Sequence, residues 1–403
     1  GYMDFYGYMR PNGKAGARNY VLLLPVNRSL NFIASNVERM TRNTRHFEIP
    51  AETGRTEVDR EVIARTLIGL MNNANVGGIV LLAVKSGAGS AYKNMCAERF
   101  EEEARKTGKP FRIVYLTNVG GSYNMLGETL RLTREVLLEV SDFRRENCPL
   151  SALTLGVKCG TSDATSGIAG NPCVGAAFDQ LIRAGGTAFF SETTEIIGAE
   201  DLVAKRAVNE SVAKKILSAA RHWEDKAKAT GEDIRKINPI PANIAAGISS
   251  LEEKSLGAIA KSGTSPIQDV LKYAEMPKGS GLYFVDSWMS SLSLPLCLTA
   301  CGATIMLYQM GGGKIAQHPM MPSINPTVVS PFLYLTGNAI AYSRAPDNFD
   351  FDASPIMTEG ASIPEMGTKL LEHLSAIASG TMTKMETLNY AEQLELYMEG
   401  PVL

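Results

Sequence analysis

The sequence predicts an α/β protein of two lobes, each built on a mainly parallel sheet flanked by helices. Nearly continuous runs of Val, Ile and Leu recur along the 403 residues, amphipathic helical stretches separate them, and the composition is that of an ordinary globular chain, 45% hydrophobic and 20% charged. Aliphatic runs without polar alternation are the pattern of strands buried on both faces, as parallel sheets demand. Their alternation with helices argues for βαβ units.

The first part of the chain offers strands at YVLLLPV (20–26), GGIVLLAV (77–84) and FRIVYLTNV (111–119). Between and after them the periodicity predicts helices over 31–44, 59–74, 91–108 and 123–143. Charge and proline interrupt the pattern at RRENCPLSA (144–152), which places a boundary between an N-terminal domain, 1–147, and a C-terminal domain, 148–403. The second part restarts with strands at SALTLGVKC (151–159), TAFFSE (187–192), GLYFVD (281–286) and ATIMLYQM (303–310). Helices are expected at 174–185, 199–231, 266–274 and 365–380. In open sheets ligands bind beyond the carboxyl ends of the strands, so the expected site is the cleft between lobes at those ends.

Charge narrows the partners. With 40 basic and 42 acidic side chains, a net charge of −2 and no basic block, the chain has no electrostatic footprint for nucleic acid. A small anionic substrate needs only a few local Lys or Arg. No apolar run reaches the roughly 20 residues of a membrane span. The N-terminal stretch lacks the basic head and apolar run of a signal peptide. Six cysteines without a CxxC pair read as reduced thiols in a cytoplasmic protein. The four histidines are scattered with no HxxxH spacing, which disfavours a histidine zinc site and leaves His318 as the one candidate.

Four stretches concentrate the chemistry. KCGTSDATSGIAGNPCVG (158–175) follows an expected strand and precedes a helix starting near Pro172, which puts Lys158, Cys159, Ser162, Asp163 and Ser166 at a strand exit. The bland alternative is a solvated turn whose Asp and Ser cap the next helix. FFSETTEIIGAE (189–200) carries Glu192 and Glu195, which share a face if the segment is helical. Paired carboxylates bind a divalent cation or act as base and acid; the alternative is a pair complementing a helix dipole. In SSLEEKSLGAIAKSGTSPI (249–267) a serine N-cap precedes Glu252 and Glu253, and Lys254 and Lys261, seven apart, share a helix face. Such lysines hold an anion or act as a base when desolvated, and otherwise form a solvated face. MGGGKIAQHP (310–319) offers Gly311, Gly312 and Gly313 for anion contact through backbone amides, without Walker A spacing.

Taken in order, these stretches, with NPIPANIAAGISSLEEKSLG (238–257), IASG near the end and the opening GYMRPNGKAGARNYVLLLP (7–25), resemble the altronate and galactarate dehydratase family, which includes the large subunit of sulfolactate sulfo-lyase. The resemblance spans nearly the whole chain. It implies a carbon–oxygen or carbon–sulfur lyase that eliminates water or sulfite from a small hydroxy acid or sugar acid to give a 2-keto acid, assisted by a divalent metal such as Fe, Mn or Mg. It points to Lys158, Ser162, Asp163, Lys254 and Lys261 as catalytic, to Ser166, Asn171 and Gly311–Gly313 as substrate-binding, and to Cys159, Glu192 and Glu195 as metal ligands. The family's small N-terminal domain does not precede the opening motif, which implies a separate small subunit as partner; a homo-oligomer is expected as well. The chain also departs from the family: Ser29 and Ser86 stand where cysteines are usual, ETGRTEVD (52–59) lacks the usual His and Cys, and Met310–Gly313 lacks an arginine. The alternatives are therefore a divergent member with a different substrate and no thiol-bound iron, or a non-catalytic binding subunit.

Overall fold

The computed structural model describes residues 3–85, 92–312, 326–389 and 394–403. Ser86, Gly313 and His318 lie outside the described residues. Strands β1 (Asp4–Met9), β2 (Ala15–Gly16), β3 (Tyr20–Pro25), β4 (Thr44–His46), β5 (Val76–Ala83), β6 (Phe111–Tyr115) and β7 (Glu146–Pro149) come from the first part of the chain. The second part contributes β8 (Thr154–Cys159), β9 (Thr187–Phe190), β10 (Ile267–Leu271), β11 (Gly281–Val285), β12 (Ile305–Met310), β13 (Phe332–Thr336) and β14 (Phe351–Asp352).

They form a four-stranded parallel sheet, β4-β3-β5-β6, and a seven-stranded parallel sheet, β10-β11-β9-β8-β12-β13-β14. A small antiparallel sheet, β2-β1-β7, ties the chain's start to residues 146–149. The two parallel sheets share one core: Leu24, Ile63 and Leu81 pack in a cluster with Phe189, Leu298, Met306 and Tyr334. Its seam is tight. A Cβ on Gly69, in the helix Glu57–Asn72, would stand 2.2 Å from the Ala300 carbonyl oxygen in the helix Leu294–Cys301. Asn73 and Asn75 bond the Thr299, Ala303 and Thr304 carbonyls across the same seam, which satisfies backbone groups no sheet reaches.

The order of each sheet decides where a ligand fits. In the large sheet the chain runs from β8 to β9 on one side, and later returns to place β12 on the other side of β8. In the small sheet β4 and β5 flank β3 in the same way. Each reversal opens a crevice at the strand carboxyl ends.

Several expectations change. The segment 266–274 is not a helix: Ile267–Leu271 is strand β10, paired in parallel with β11. Ile267 and Leu271, four apart, mimic helical spacing, but the open edge of β11 supplies hydrogen bonds that override it. The single helix expected over 199–231 is two, Glu200–Ala204 and Glu210–Ala229, because Asn209 caps the second by accepting from the Val212 N–H at 3.0 Å. Strand β6 ends at Tyr115, and Leu116–Val119 turns helical. The run FLYLT, buried at all five residues, is strand β13, and LPLCLTAC is a wholly buried helix; both are apolar segments that periodicity leaves ambiguous.

Candidate functional site

The crevice beside β8 gathers most of the residues singled out in the sequence. Lys158 and Cys159 are the last two residues of β8, and Glu192 follows β9 by two positions. After Glu192 the chain makes the 3-10 turn Thr193–Ile196, which carries Glu195. Lys261 arrives from the turn Ala260–Ser262 that closes the helix Leu251–Ile259. All five side chains are buried, none more than 4% exposed.

Their polar atoms converge on Lys261. Its Nζ donates to Glu192 Oε1 at 2.8 Å and to Glu195 Oε2 at 3.1 Å, and lies 3.4 Å from Cys159 Sγ. Glu192 Oε1 also accepts the Cys159 N–H at 2.7 Å, and its Oε2 is 3.9 Å from Lys158 Nζ. Lys158 donates to the Cys159 carbonyl at 2.7 Å and stands 5.1 Å from the centre of the Tyr308 ring. Glu192 takes φ 69° and ψ 67°, a left-handed backbone that a residue with a Cβ holds only when its surroundings fix it. Here the carboxylate's bonds to Lys261 and the Cys159 amide supply that constraint.

The environment sets the charges. Burial opposes the Lys261 ammonium, but Cys159, Glu192 and Glu195 outweigh it and hold the lysine well above its ordinary value. Lys158 is raised as well, burial being overcome by Tyr308, Glu192 and Glu195. Burial works against the Glu195 charge, yet Lys261, Lys254 and Lys158 keep its carboxyl below the usual range. Burial pushes the Cys159 thiol up to about 12. Lys158 and Lys261 thus face Glu192 and Glu195 out of water, with Cys159 beside them.

A second polar group stands at the same crevice and is built differently. Asp163 Oδ2 accepts from the Gly312 N–H and from Asn338 Nδ2 at 3.0 Å; its Oδ1 accepts from Thr165 Oγ1 at 2.5 Å and the Ser166 N–H at 3.2 Å. No ammonium or guanidinium contacts it among the described residues. It ties the β8 loop to the exit of β12 and to Asn338, which caps the helix Ala339–Arg344. The glycines are required for this approach: a Cβ on Gly311 would stand 2.6 Å from Asp163 Cγ, and one on Gly312 2.0 Å from Asn338 Nδ2.

The remaining candidates fall around these two groups. Asn171, where a π-helical turn passes into the helix Asn171–Arg183, accepts from Cys159 Sγ at 3.1 Å and donates to the Gly257 carbonyl at 3.1 Å. Ser166 Oγ accepts from the Asp163 N–H, and the Ser162 carbonyl accepts from Asn243 Nδ2 at 3.0 Å. Lys254 does not join Lys261. Because the helix ends at Ile259, the two lysines leave their common face, and Lys254 Nζ donates to Asn238 Oδ1 at 2.7 Å. Ser250 caps that helix by accepting from the Glu253 N–H at 3.1 Å. Glu192 and Glu195 do not share a helix face; the left-handed turn brings them together instead.

Sequence reasoning missed Tyr308, Asn238, Gln309 and Asn338. Asn238 Nδ2, Gln309 Oε1 and Thr194 Oγ1 are buried atoms without a hydrogen-bond partner, so donors and acceptors remain unspent near the ion cluster. The Asn–Pro pair at 238–239 opens the block NPIPANIAAGISSLEEKSLG and was a signal there; Gln309 and Tyr308 read only as strand residues. A cavity of about 790 Å³ opens elsewhere, at the exit of β4, lined by Arg28, His46, Glu48, Trp288 and Leu396 among others. None of the site residues expected from the sequence lines it, and its charges are mixed, so the chemistry favours the β8 crevice.

Cys159, Glu192 and Glu195 each offer one ligand atom within 4.8 Å of the others, close enough to hold one metal ion. As the side chains stand the group does not fit one, because the Lys261 ammonium contacts all three donors.

Buried lysines and carboxylates gathered at a switch point are the residue types that acid–base chemistry on an anionic substrate uses. The family profile for the D-galactarate/altronate dehydratase C-terminal domain matches residues 150–401, and that for the second domain of D-galactarate dehydratase/altronate hydrolase matches 7–141. The chain belongs to this family, and with it to the lyases. It is 32% identical to the (2R)-sulfolactate sulfo-lyase subunit beta of Chromohalobacter salexigens over 96% of both chains. The galactarate dehydratase (L-threo-forming) of Escherichia coli is 30% identical over 99% of this chain and 77% of its own. The altronate dehydratase of Bacillus subtilis is 29% identical over 99% of this chain and 78% of its own.

Proposed function

We infer that the protein eliminates water or sulfite from carbon 3 of a small 2-hydroxy acid, at the crevice beside β8. The observation behind this reading is the buried group of Lys158, Lys261, Glu192 and Glu195. Glu192, placed between both lysines, takes the proton from carbon 2. The electron pair left behind forms the carbon 2–carbon 3 double bond as the leaving group departs from carbon 3. Lys158 and Lys261 stabilise the negative charge that builds on the substrate carboxylate, and Lys158 gives the departing group its proton. The enol so formed becomes the 2-keto acid. Asn238 Nδ2 and the Lys254 ammonium are suited to bind a substrate carboxylate, since one is a buried donor without a partner and the other a cation beside it.

Asp163 and the glycines 311 and 312 shape the site and need not touch the substrate. Two domains, divided near residues 147 and 148, contribute the two parallel sheets. Since the sulfo-lyase relative is a subunit beta, a small partner subunit completes the enzyme in this reading. The six free cysteines suit a reducing cytoplasm. No described helix is long and apolar enough to cross a membrane.

The test is an anaerobic assay against sulfolactate and a panel of sugar acids, with and without a candidate small subunit, reading 2-keto product. A wild-type protein that binds these acids yet forms no product under any of these conditions refutes the lyase reading.

A further inference from the structure

The three donors at the reaction centre converge on one point, and that point is occupied. Lys261 Nζ lies 2.8 Å from Glu192 Oε1, 3.1 Å from Glu195 Oε2 and 3.4 Å from Cys159 Sγ, which is the place a single ion would take between them. The charges already close: Lys158 and Lys261 face Glu192 and Glu195, two against two. A divalent ion added here would stand against an ammonium within a buried, poorly screened group.

Nor is Lys261 free to swing away. It is 1% exposed, on a turn that Arg206 holds through Ser262 Oγ at 2.6 Å and the Ser262 carbonyl at 3.2 Å. The turn is clamped against the helix Asn171–Arg183 so closely that a Cβ on Gly175 would come within 2.2 Å of the Ala260 carbonyl oxygen.

We propose that Lys261 is the resident cation of this centre, occupying the position of a divalent metal, so that Cys159, Glu192 and Glu195 take up a metal only when the lysine is removed. The proposal rests on the lyase reading only in calling the group the reaction centre; the geometry and the charge count stand without it.

Cobalt(II) tests this by spectroscopy, because a thiolate bound to cobalt gives a charge-transfer absorption in the near ultraviolet, and removing Lys261 leaves a thiol–dicarboxylate set suited to such a metal. Full-chain wild-type protein, stripped with chelator and titrated with cobalt, is expected to show no such band. The Lys261→Ala variant is expected to gain one at a single equivalent, and to lose it again when Cys159→Ser is added. A wild-type band that disappears in Cys159→Ser overturns the proposal, as does a folded Lys261→Ala protein that binds no cobalt. Should Lys261→Ala fail to fold without metal, refolding in cobalt is expected to rescue it, and the wild-type titration decides the matter in any case. A failed lyase reading would appear instead as absent 2-keto product, with the cobalt result unchanged.

Discussion

The molecule has two switch points of the same design, and they have been furnished in opposite ways. At the exit of β3 the described residues make ordinary hydrogen bonds beside the open cavity: Asn27 Oδ1 accepts the Val84 N–H at 2.9 Å, Glu52 accepts from the Arg28 N–H at 3.2 Å, and Ser29 is exposed. At the exit of β8 the same architecture holds four charged groups out of water, a strained Glu192 among them. Parallel topology thus supplies a place for a ligand, and only side-chain chemistry decides whether it is used. Buried opposed charges are poor devices for stability, since a well-packed apolar replacement does as well or better. Among the described residues such a group stands at the exit of β8 and not at that of β3, which fits the elimination proposed for it.

The strongest way to break this contrast is Lys261→Met, which leaves Glu192 and Glu195 buried without their common partner. A loss of about 3–5 kcal/mol in denaturant unfolding is expected, together with loss of 2-keto acid formation. Next comes Glu192→Gln, which keeps the shape and removes the base; turnover is expected to fall by about 10²–10⁴-fold while the protein stays folded. If turnover survives in both variants, the β8 crevice is not the reaction centre.

Asp163→Ala should act chiefly on stability, at about 1–3 kcal/mol for buried donors left unsatisfied, with a smaller effect on turnover than Glu192→Gln. Gly312→Ala should reproduce the same defect, because its Cβ would displace the Asn338 amide. The charge on Glu195 gives a pH signature. Its carboxyl lies below the usual range in the folded protein, so the stability it lends is full above the unfolded value of about 4.3 and disappears as pH falls through the lower folded value. The stability difference between wild type and Glu195→Gln should therefore be full at neutral pH and shrink as the pH falls through that window, as read by denaturant unfolding at a series of pH values. The smallest effect is expected from Ser29→Ala, within about 0.5 kcal/mol and with unchanged turnover; a large loss there would show that the two switch points share the work.

Much of this was legible in the chain. The aliphatic runs at 20–26, 77–84 and 303–310 marked buried parallel strands, and glycine and hydroxyl residues after SALTLGVKC marked a strand exit. Local cues sufficed for these because burial on both faces leaves no polar alternation, and because serine or asparagine at a helix start satisfies a neighbouring amide. Where a segment's state depended on a distant partner, local cues failed. Ile267–Leu271 became a strand because β11 offered an edge, and Lys254 left Lys261 because the helix stopped at Ile259.

By itself, then, the sequence determined the class of fold, the order of its blocks and the residue types available for elimination chemistry, since these follow from periodicity and composition within short windows. Only the tertiary structure decided which of those residues meet. Glu192 and Lys261 are 69 positions apart, and they touch because β9 lies beside β8 and a turn clamped by Gly175 and Gly263 points its lysine inward. Charges so distant in sequence come to face one another out of water only when the packing of the whole sheet holds them there.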